Sequence, residues 1–138
     1  MSPKNGSWRV LPVTQHASAS GTLGSFQYGD ELDFEIKRIY FISEVSHTSA
    51  RGNHAHLNLR QCIMAVGGSL RIELESAKGS KTILLKPLVE ILILEGLVWR
   101  RIYFESPGTI CLVGASETYT EEDYVRDYER FKALTEEK

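Results

Sequence analysis

The sequence predicts an all-β domain that ends in one short helix. Most of the chain divides into stretches of about five to nine residues in which apolar and polar side chains alternate, the pattern of strands with one buried face. Turn residues such as Gly67-Gly68 and Ser106-Pro107-Gly108 separate these stretches. Helical spacing of apolar residues occurs only after Thr120. These three observations predict a β-sandwich or barrel.

The predicted strands follow one another from the N-terminus to Ala115. The stretch 34–42 alternates clearly and places Arg38 and Tyr40 on its more apolar face, while Ile39 and Phe41 lie on the other. A loop over 46–52 is expected before a strand that carries two histidines. The predicted strands are 8–13, 21–28, 34–42, the histidine strand, 60–66, 69–75, 81–85, 90–94, 97–103 and 109–115.

The C-terminal segment 118–134 is predicted to be helical. Thr120 followed by three acidic residues is typical of a helix N-terminus, and apolar residues then recur at helical spacing. The helix is expected over about 121–134. Tyr124 and Arg126 are expected to attach it to the sheet, and 135–138 should fray.

Length and composition indicate one domain over residues 1–138. The formal net charge of -2 gives no reason to expect binding to nucleic acid or to an anionic membrane. Cys62 and Cys111 lie in apolar stretches, which favours buried free thiols over a disulfide. No apolar signal core or membrane-spanning run is present, so a cytoplasmic protein is expected.

The most informative motif is the run Arg-Gly-Asn-His-Ala-His at 51–56. In an extended strand His54 and His56 share one face, which places two imidazoles side by side. Such a pair can act as general acid and base, because imidazole titrates nearest neutrality. It can also bind a metal, or both side chains can simply be solvated.

The residues around the pair argue against a metal. A sandwich with a His-x-His strand suggests the cupin type of jelly roll, whose metal-binding members add a nearby acid and a later third histidine. Here neutral residues and Arg60 follow His56, and no histidine comes after it. Two histidines alone suit zinc, iron or manganese poorly, so no metal ion is expected.

Five segments together resemble the cupin-fold dTDP-sugar 3,4-ketoisomerases, the WxcM-like group. They recur in the family's order over residues 8–131. They are 51–56 with Gln61, Lys37-Arg38-Ile39-Tyr40, Val98-Trp99-Arg100, Ala115-Ser116 with Tyr119, and 123–131 with its Asp-Tyr-Val-Arg-Asp-Tyr run.

The resemblance implies a jelly roll, a homodimer, and an isomerase that moves a sugar carbonyl from carbon 4 to carbon 3. The implied partner is a dTDP-linked 4-keto-6-deoxyhexose in deoxyamino-sugar or polysaccharide biosynthesis, and no cofactor is implied. His54 and His56 would be the catalytic acid and base, in an order the sequence leaves open. The implied substrate-binding residues are Arg38, Tyr40, Arg51, Trp99 and Arg100.

Other roles remain open for these residues. Arg51 could form a surface ion pair, and Arg38 a buried one with Glu73 or Asp123. Trp99 could belong to the core or to the sugar pocket, and Arg100 could meet phosphate or water.

The chain departs from the family's pattern at several positions, and these are expected to line the sugar or nucleotide region. A non-catalytic cupin that binds a nucleotide sugar is therefore the alternative function. The departures are Ser20, Ile91, Ile93, Arg101 and the order Phe104-Glu105.

A homodimer is also expected from the exposed edges that a sandwich of this length leaves, because natural sheets cover such edges. The apolar strand 8–13 is the candidate for pairing with, or exchanging into, a second subunit.

Overall fold

The computed structural model describes residues 5–45 and 50–136. The elements in chain order are β1 (Ser7–Pro12), β2 (Thr14–Ser18), β3 (Gly21–Ser25), β4 (Arg38–Ile42), β5 (Ala50–His56), β6 (Arg60–Val66), β7 (Leu70–Ser76), β8 (Gly79–Leu85), β9 (Glu90–Glu95), β10 (Trp99–Phe104), β11 (Ile110–Ala115), β12 (Tyr124–Val125) and α1 (Tyr128–Glu136).

The strands form two five-stranded antiparallel sheets and a separate two-stranded ribbon. The first sheet has the order β1-β9-β6-β11-β4, the second β12-β5-β10-β7-β8, and the ribbon is β2-β3. Turns at Gly67-Gly68 and Ser106-Pro107-Gly108 carry the chain from one sheet to the other. This arrangement confirms the predicted β-sandwich, of the cupin jelly-roll type, with a C-terminal helix.

The main core fills the space between the sheets. Alternate residues of β6, β7, β9, β10 and β11 face it, as the period of two requires. Leu70, Ile72 and Leu74 of β7 are buried there as predicted, while Arg71 and Glu73 point outward. The cysteines are free and buried, also as predicted.

Only the second half of the predicted strand 34–42 is a strand. Phe34 and Ile36 pack with Cys62 and Met64 on the outer face of the first sheet, whereas Tyr40 packs against the main core. The alternation that was read as one strand therefore serves two cores, because the segment passes around the edge of the sheet before β4 begins.

The exposed ribbon β2-β3 was only partly predicted. Its residues are exposed throughout, and it extends from Thr14 to Ser25. β2 was missed because a strand with two solvated faces carries no apolar alternation, and β3 stops at Ser25 rather than at residue 28.

The helix begins later than predicted. Residues Glu121–Asp123 form a 3-10 turn in which Thr120 makes no side-chain cap, and the chain then pairs with β5 as β12. Asp127 is the actual cap: its carboxylate accepts the backbone N–H of Glu129 at 3.1 Å. The helix continues to Glu136, past the expected start of fraying, and 137–138 lie outside the described residues.

The histidine strand begins earlier than predicted, at Ala50, so 50–52 belong to β5 and not to a loop. The rest of the predicted loop, 46–49, lies outside the described residues. No helix among the described residues has the length and apolarity needed to span a membrane.

Candidate active site

The interior of the sandwich is polar at one end. In the first sheet Arg38 of β4 and Gln61 of β6 are both register partners of Ala115, so they lie side by side across β11. In the second sheet Arg100 of β10 is the register partner of His54. These positions continue the inward-facing alternation of strands whose other ends fill the apolar core.

His54 and His56 lie next to each other in this polar region, as predicted. Their ring centroids are 4.9 Å apart with the planes nearly perpendicular. His56 is fully buried, with 0% of its surface exposed. The Nε2 atom of each ring is buried and makes no hydrogen bond within the described part of the chain, which leaves both atoms available to a ligand.

Asp123 fixes the His56 ring through the nitrogen opposite Nε2. One carboxylate oxygen lies 3.0 Å from His56 Nδ1, and the other accepts the backbone N–H of Asn58 at 3.0 Å. Burial opposes ionisation of Asp123, but the hydrogen bonds from His56 and Asn58 outweigh it and lower the pKa of the carboxyl group. An ionised carboxylate accepts the Nδ1 proton, so the lone pair of His56 lies on Nε2.

Both imidazoles are neutral at pH 7. Burial and then the charge of Arg100 lower the pKa of His54 to about 2. Burial also lowers the pKa of His56, to about 4, although the hydrogen bond that His56 donates to Asp123 opposes this shift. The pair is therefore in its basic form, and Asp123 gives His56 the better support for a proton.

Tyr124 closes one side of the histidine pair. Its ring centroid lies 5.1 Å from that of His54 and 4.4 Å from that of His56, and the Arg126 guanidinium covers the same ring at 4.2 Å. Tyr124 was expected to attach the terminal helix to the sheet; it lies before α1, in β12, which pairs it directly with His56 of β5.

Arg100 anchors the opposite side. It is 3% exposed, and its guanidinium donates to the side-chain oxygen of Gln61 and to the carbonyl of Val98 at 3.1 Å. Burial lowers its pKa to about 10, so it stays charged at neutral pH. The Gln61 amide nitrogen in turn lies 3.0 Å from the hydroxyl of Tyr40.

Arg38 also belongs to this region but makes no ion pair with Glu73 or Asp123. Its guanidinium lies over the rings of Tyr40 and Tyr119, at 5.2 and 5.5 Å, and its Nε is buried without a hydrogen-bond partner in the described residues. The predicted residues His54, His56, Arg38, Tyr40 and Arg100 are thus brought together.

Arg51 is not brought into the group. A β-bulge interrupts the pairing of β5 with β10 between Arg51 and His54. Gly52 there has a φ of +69°, a backbone conformation that favours glycine. Arg51 is exposed, and among the described residues no hydrogen bond joins it to the histidines.

Trp99 faces away from the histidines, because adjacent residues of a strand point to opposite sides. It is buried beneath α1, with ring centroids 5.3 Å from Tyr128 and 5.6 Å from Phe131. Of the two roles left open by the sequence, its position fits the core.

The departures from the family's pattern do not line this interior. Ile91 and Ile93 are buried on the outer face of the first sheet. The Arg101 guanidinium lies over the ring of Tyr128, and the Glu105 carboxylate forms an ion pair with Arg71 at 3.2 Å. Ser20 lies in the turn of the exposed ribbon. These side chains therefore lie away from the histidines, and the expectation that they line a sugar or nucleotide region stays a prediction.

The described residues contain no group of three or more His, Cys, Asp or Glu side chains placed to hold a metal ion.

The sequence analysis did not assign Asp123, Tyr124 or Gln61 to the site. A separate strand pairing brings Asp123 to His56 across 67 positions of the chain. The signal that pointed to it was the C-terminal run 123–131.

The fold and this site define a class: a cupin-type β-sandwich with an internal pair of neutral imidazoles suited to general acid–base chemistry. The chain belongs to the FdtA family described as "WxcM-like, C-terminal", whose match covers residues 7–136. It is 30% identical to the TDP-4-oxo-6-deoxy-alpha-D-glucose-3,4-oxoisomerase of Aneurinibacillus thermoaerophilus, over 90% of this chain and 89% of that one.

Solved structures of ketoisomerases are similar over nearly the whole chain. A 3,4-ketoisomerase from Helicobacter canadensis has a TM-score of 0.89 and 32% identity, covering 94% of this chain and 98% of that one. A mutant 3,4-ketoisomerase from Thermoanaerobacterium thermosaccharolyticum in complex with TDP-4-keto-6-deoxyglucose has a TM-score of 0.88 and 30% identity, covering 93% of each.

Proposed function

We propose that this protein is a 3,4-ketoisomerase that converts a dTDP-linked 4-keto-6-deoxyhexose into the 3-keto isomer. The observation that carries the proposal is the pair of buried, neutral imidazoles whose Nε2 atoms make no hydrogen bond to any residue that the structure describes. Its family and its similarity to TDP-sugar ketoisomerases support the substrate class.

The reaction needs two proton transfers at carbon and two at oxygen. The C3–H bond breaks and oxygen 4 gains a proton, which gives an enediol. Oxygen 3 then loses its proton and carbon 4 gains one, so the carbonyl ends at carbon 3. Carbon 3 and oxygen 3 have each lost one proton, carbon 4 and oxygen 4 have each gained one, and the chemistry requires no oxidant or reductant.

His54 and His56 divide these transfers between them. Each presents a neutral Nε2 that accepts a proton and returns it. When His56 becomes an imidazolium, the Asp123 carboxylate at 3.0 Å stabilises the new charge.

The buried cations stabilise the oxygens of the enediol. Arg100 is charged and has no carboxylate partner among the described residues. Arg38 has a buried Nε beside the same interior that makes no hydrogen bond within residues 5–45 and 50–136. A fixed positive charge in a site that excludes water favours an oxygen that becomes negative during the reaction.

The proposed reaction proceeds without a metal ion, since imidazoles and arginines supply the acid, the base and the positive charge. Activity should survive extensive treatment with a chelator. Activity that is lost on chelation and restored by one divalent ion would contradict this part of the proposal.

The proposed function is tested by incubation with dTDP-4-keto-6-deoxyglucose in deuterated water, followed by NMR of the sugar ring. The expected result is a 3-keto product with deuterium at carbon 4. Binding of the dTDP-sugar with no exchange of a ring hydrogen would favour the non-catalytic binding protein instead.

We also propose that the chain acts as a homodimer in the cytoplasm, in deoxyamino-sugar or polysaccharide biosynthesis. β1 pairs with β9 of its own chain, so exchange of strand 8–13 is not the basis of this proposal. The ribbon β2-β3 supports it, because an isolated two-stranded ribbon is marginally stable and Leu23 on it is 62% exposed. Light scattering at micromolar concentrations tests it, and a monomer throughout would contradict it.

A further inference from the structure

Gln61 connects the two sheets at a point where the direction of each hydrogen bond is fixed. Arg100 of the second sheet donates to the side-chain oxygen of Gln61 in the first sheet. A guanidinium carries only donors, so the carbonyl side of the Gln61 amide must face it. The NH₂ side then faces Tyr40.

The direction of this first bond determines that of the next. The Gln61 amide nitrogen donates to the Tyr40 hydroxyl oxygen at 3.0 Å. A phenol has one proton, and a donor already occupies a lone pair of its oxygen. The Tyr40 proton must therefore point away from Gln61.

The Tyr40 hydroxyl lies at the polar end of the interior. Tyr40 projects inward from β4, and its partner Gln61 is bound to Arg100, the register partner of His54. A proton that points away from Gln61 is therefore available to a ligand held in this interior. Burial raises the pKa of Tyr40, although Arg100 and Gln61 oppose this, so the phenol keeps its proton at neutral pH.

We propose that Gln61 is a positioning residue: held by Arg100, it fixes the Tyr40 hydroxyl as a hydrogen-bond donor toward an oxygen of the sugar ring. The donor would stabilise the carbonyl oxygen as it gains negative charge. This inference rests on the proposed function, and in it Gln61 acts through Tyr40.

The variant Gln61→Glu separates this role from a purely structural one. A carboxylate at this position still accepts from Arg100 and gives that buried cation a counter-ion, so the link between the sheets is kept. It also accepts from the Tyr40 hydroxyl and thereby turns the phenol proton away from the sugar. A structural role predicts full activity, whereas a positioning role predicts loss of turnover.

We expect Gln61→Glu to lower kcat by about 100- to 1,000-fold, the effect of removing one donor to a developing oxyanion. Tyr40→Phe should lose as much. The melting temperature and the Kd for dTDP of Gln61→Glu should match the wild type. Near wild-type kcat in a folded Gln61→Glu variant would overturn the inference.

A double-mutant cycle tests whether Gln61 acts through Tyr40. In a Tyr40→Phe background, Gln61→Glu should change kcat by less than about threefold, because the two changes remove the same interaction. A full additional loss would overturn the inference. Should Gln61→Glu not fold, Gln61→Met removes the amide that donates to Tyr40, and a full additional loss of kcat in the Tyr40→Phe background would again overturn the inference.

The phenol pKa of Tyr40, followed by NMR of ¹³C-labelled tyrosine, gives a readout that needs no turnover. It should rise in Gln61→Glu, because the phenol then donates to a carboxylate; an unchanged value would overturn the inference. A rise in pKa combined with an inactive wild type would support the positioning role and contradict only the proposed function.

Discussion

At the scale of single residues, the two histidines differ in the charged groups that lie next to their imidazole rings. His56 is hydrogen-bonded to Asp123, whereas His54 has Arg100 as its register partner. Burial is the main cause that lowers the pKa of both histidines, and Arg100 lowers both further. The hydrogen bond to Asp123 opposes the shift only at His56, so the pKa is about 4 for His56 and about 2 for His54. The pair therefore has one member better able to carry a transient positive charge.

Replacing Asp123 by asparagine tests this support. The change keeps the shape and removes the charge that stabilises the His56 imidazolium, so kcat should fall by about 100- to 10,000-fold. Steady-state kinetics measures the effect, with the Kd for dTDP as a check on folding. Asp127→Asn is the matched control, because this exposed aspartate caps α1 and asparagine also caps helices. Unchanged turnover in Asp123→Asn would show that His56 needs no carboxylate.

At the scale of secondary-structure elements, α1 and β12 act together to place Asp123. β12 pairs with the end of β5 that carries His56, and α1 covers it through Phe131, which is 0% exposed. Val125 and Trp99 share that cluster. The short strand depends on this packing, since a pair of residues alone gives little pairing energy.

Phe131→Ala should therefore destabilise the protein by about 3–5 kcal/mol, the usual effect of emptying a buried phenylalanine site. Urea unfolding measures it through the shift in midpoint. Phe41→Ala is the control: this phenylalanine is 65% exposed, and its loss should change stability by less than about 1 kcal/mol. Equal effects of the two variants would mean that α1 does not pack as described.

At the scale of the whole molecule, the buried neutral histidines make stability depend on pH. Their pKa values in the folded state lie below the value of 6.5 expected when exposed. Below pH 6.5 the unfolded chain binds protons that the folded chain does not, so stability falls as the pH drops toward about 4.

By pH 5 each histidine should remove about 2 kcal/mol of the stability present at pH 7. Urea unfolding at the two pH values measures this loss. In the double variant His54→Asn/His56→Asn the neutral side chains do not titrate, so most of the loss should disappear. The same decrease in the wild type and in the double variant would place its origin elsewhere.

The sequence was most informative where residues near in the chain are also near in space. His54 and His56 share a face because they are two apart in a strand, and Arg38 and Tyr40 share one for the same reason. Asp123 reaches His56 only through the pairing of β12 with β5. Acidic residues after Thr120 favoured a helix there, and local propensity did not reveal that tertiary pairing would prevail.

The sequence also did not show which face of a strand points into the site. Trp99 and Arg100 are adjacent, and the sequence did not decide which of them faces the interior, since both strand faces here are buried. Packing of α1 on one face and the histidines on the other assigns Trp99 to the helix side and Arg100 to the interior.

The central claim is that His54 and His56 carry the proton transfers. Its most direct test is the rate at which deuterium enters the ring of dTDP-4-keto-6-deoxyglucose in deuterated water, measured by NMR for His54→Asn and His56→Asn. Asp127→Asn, at the exposed cap of α1, is the control. We expect each site variant to lose at least about 100-fold in rate, with dTDP binding retained and the control unchanged. Near wild-type rates in both site variants would contradict the account.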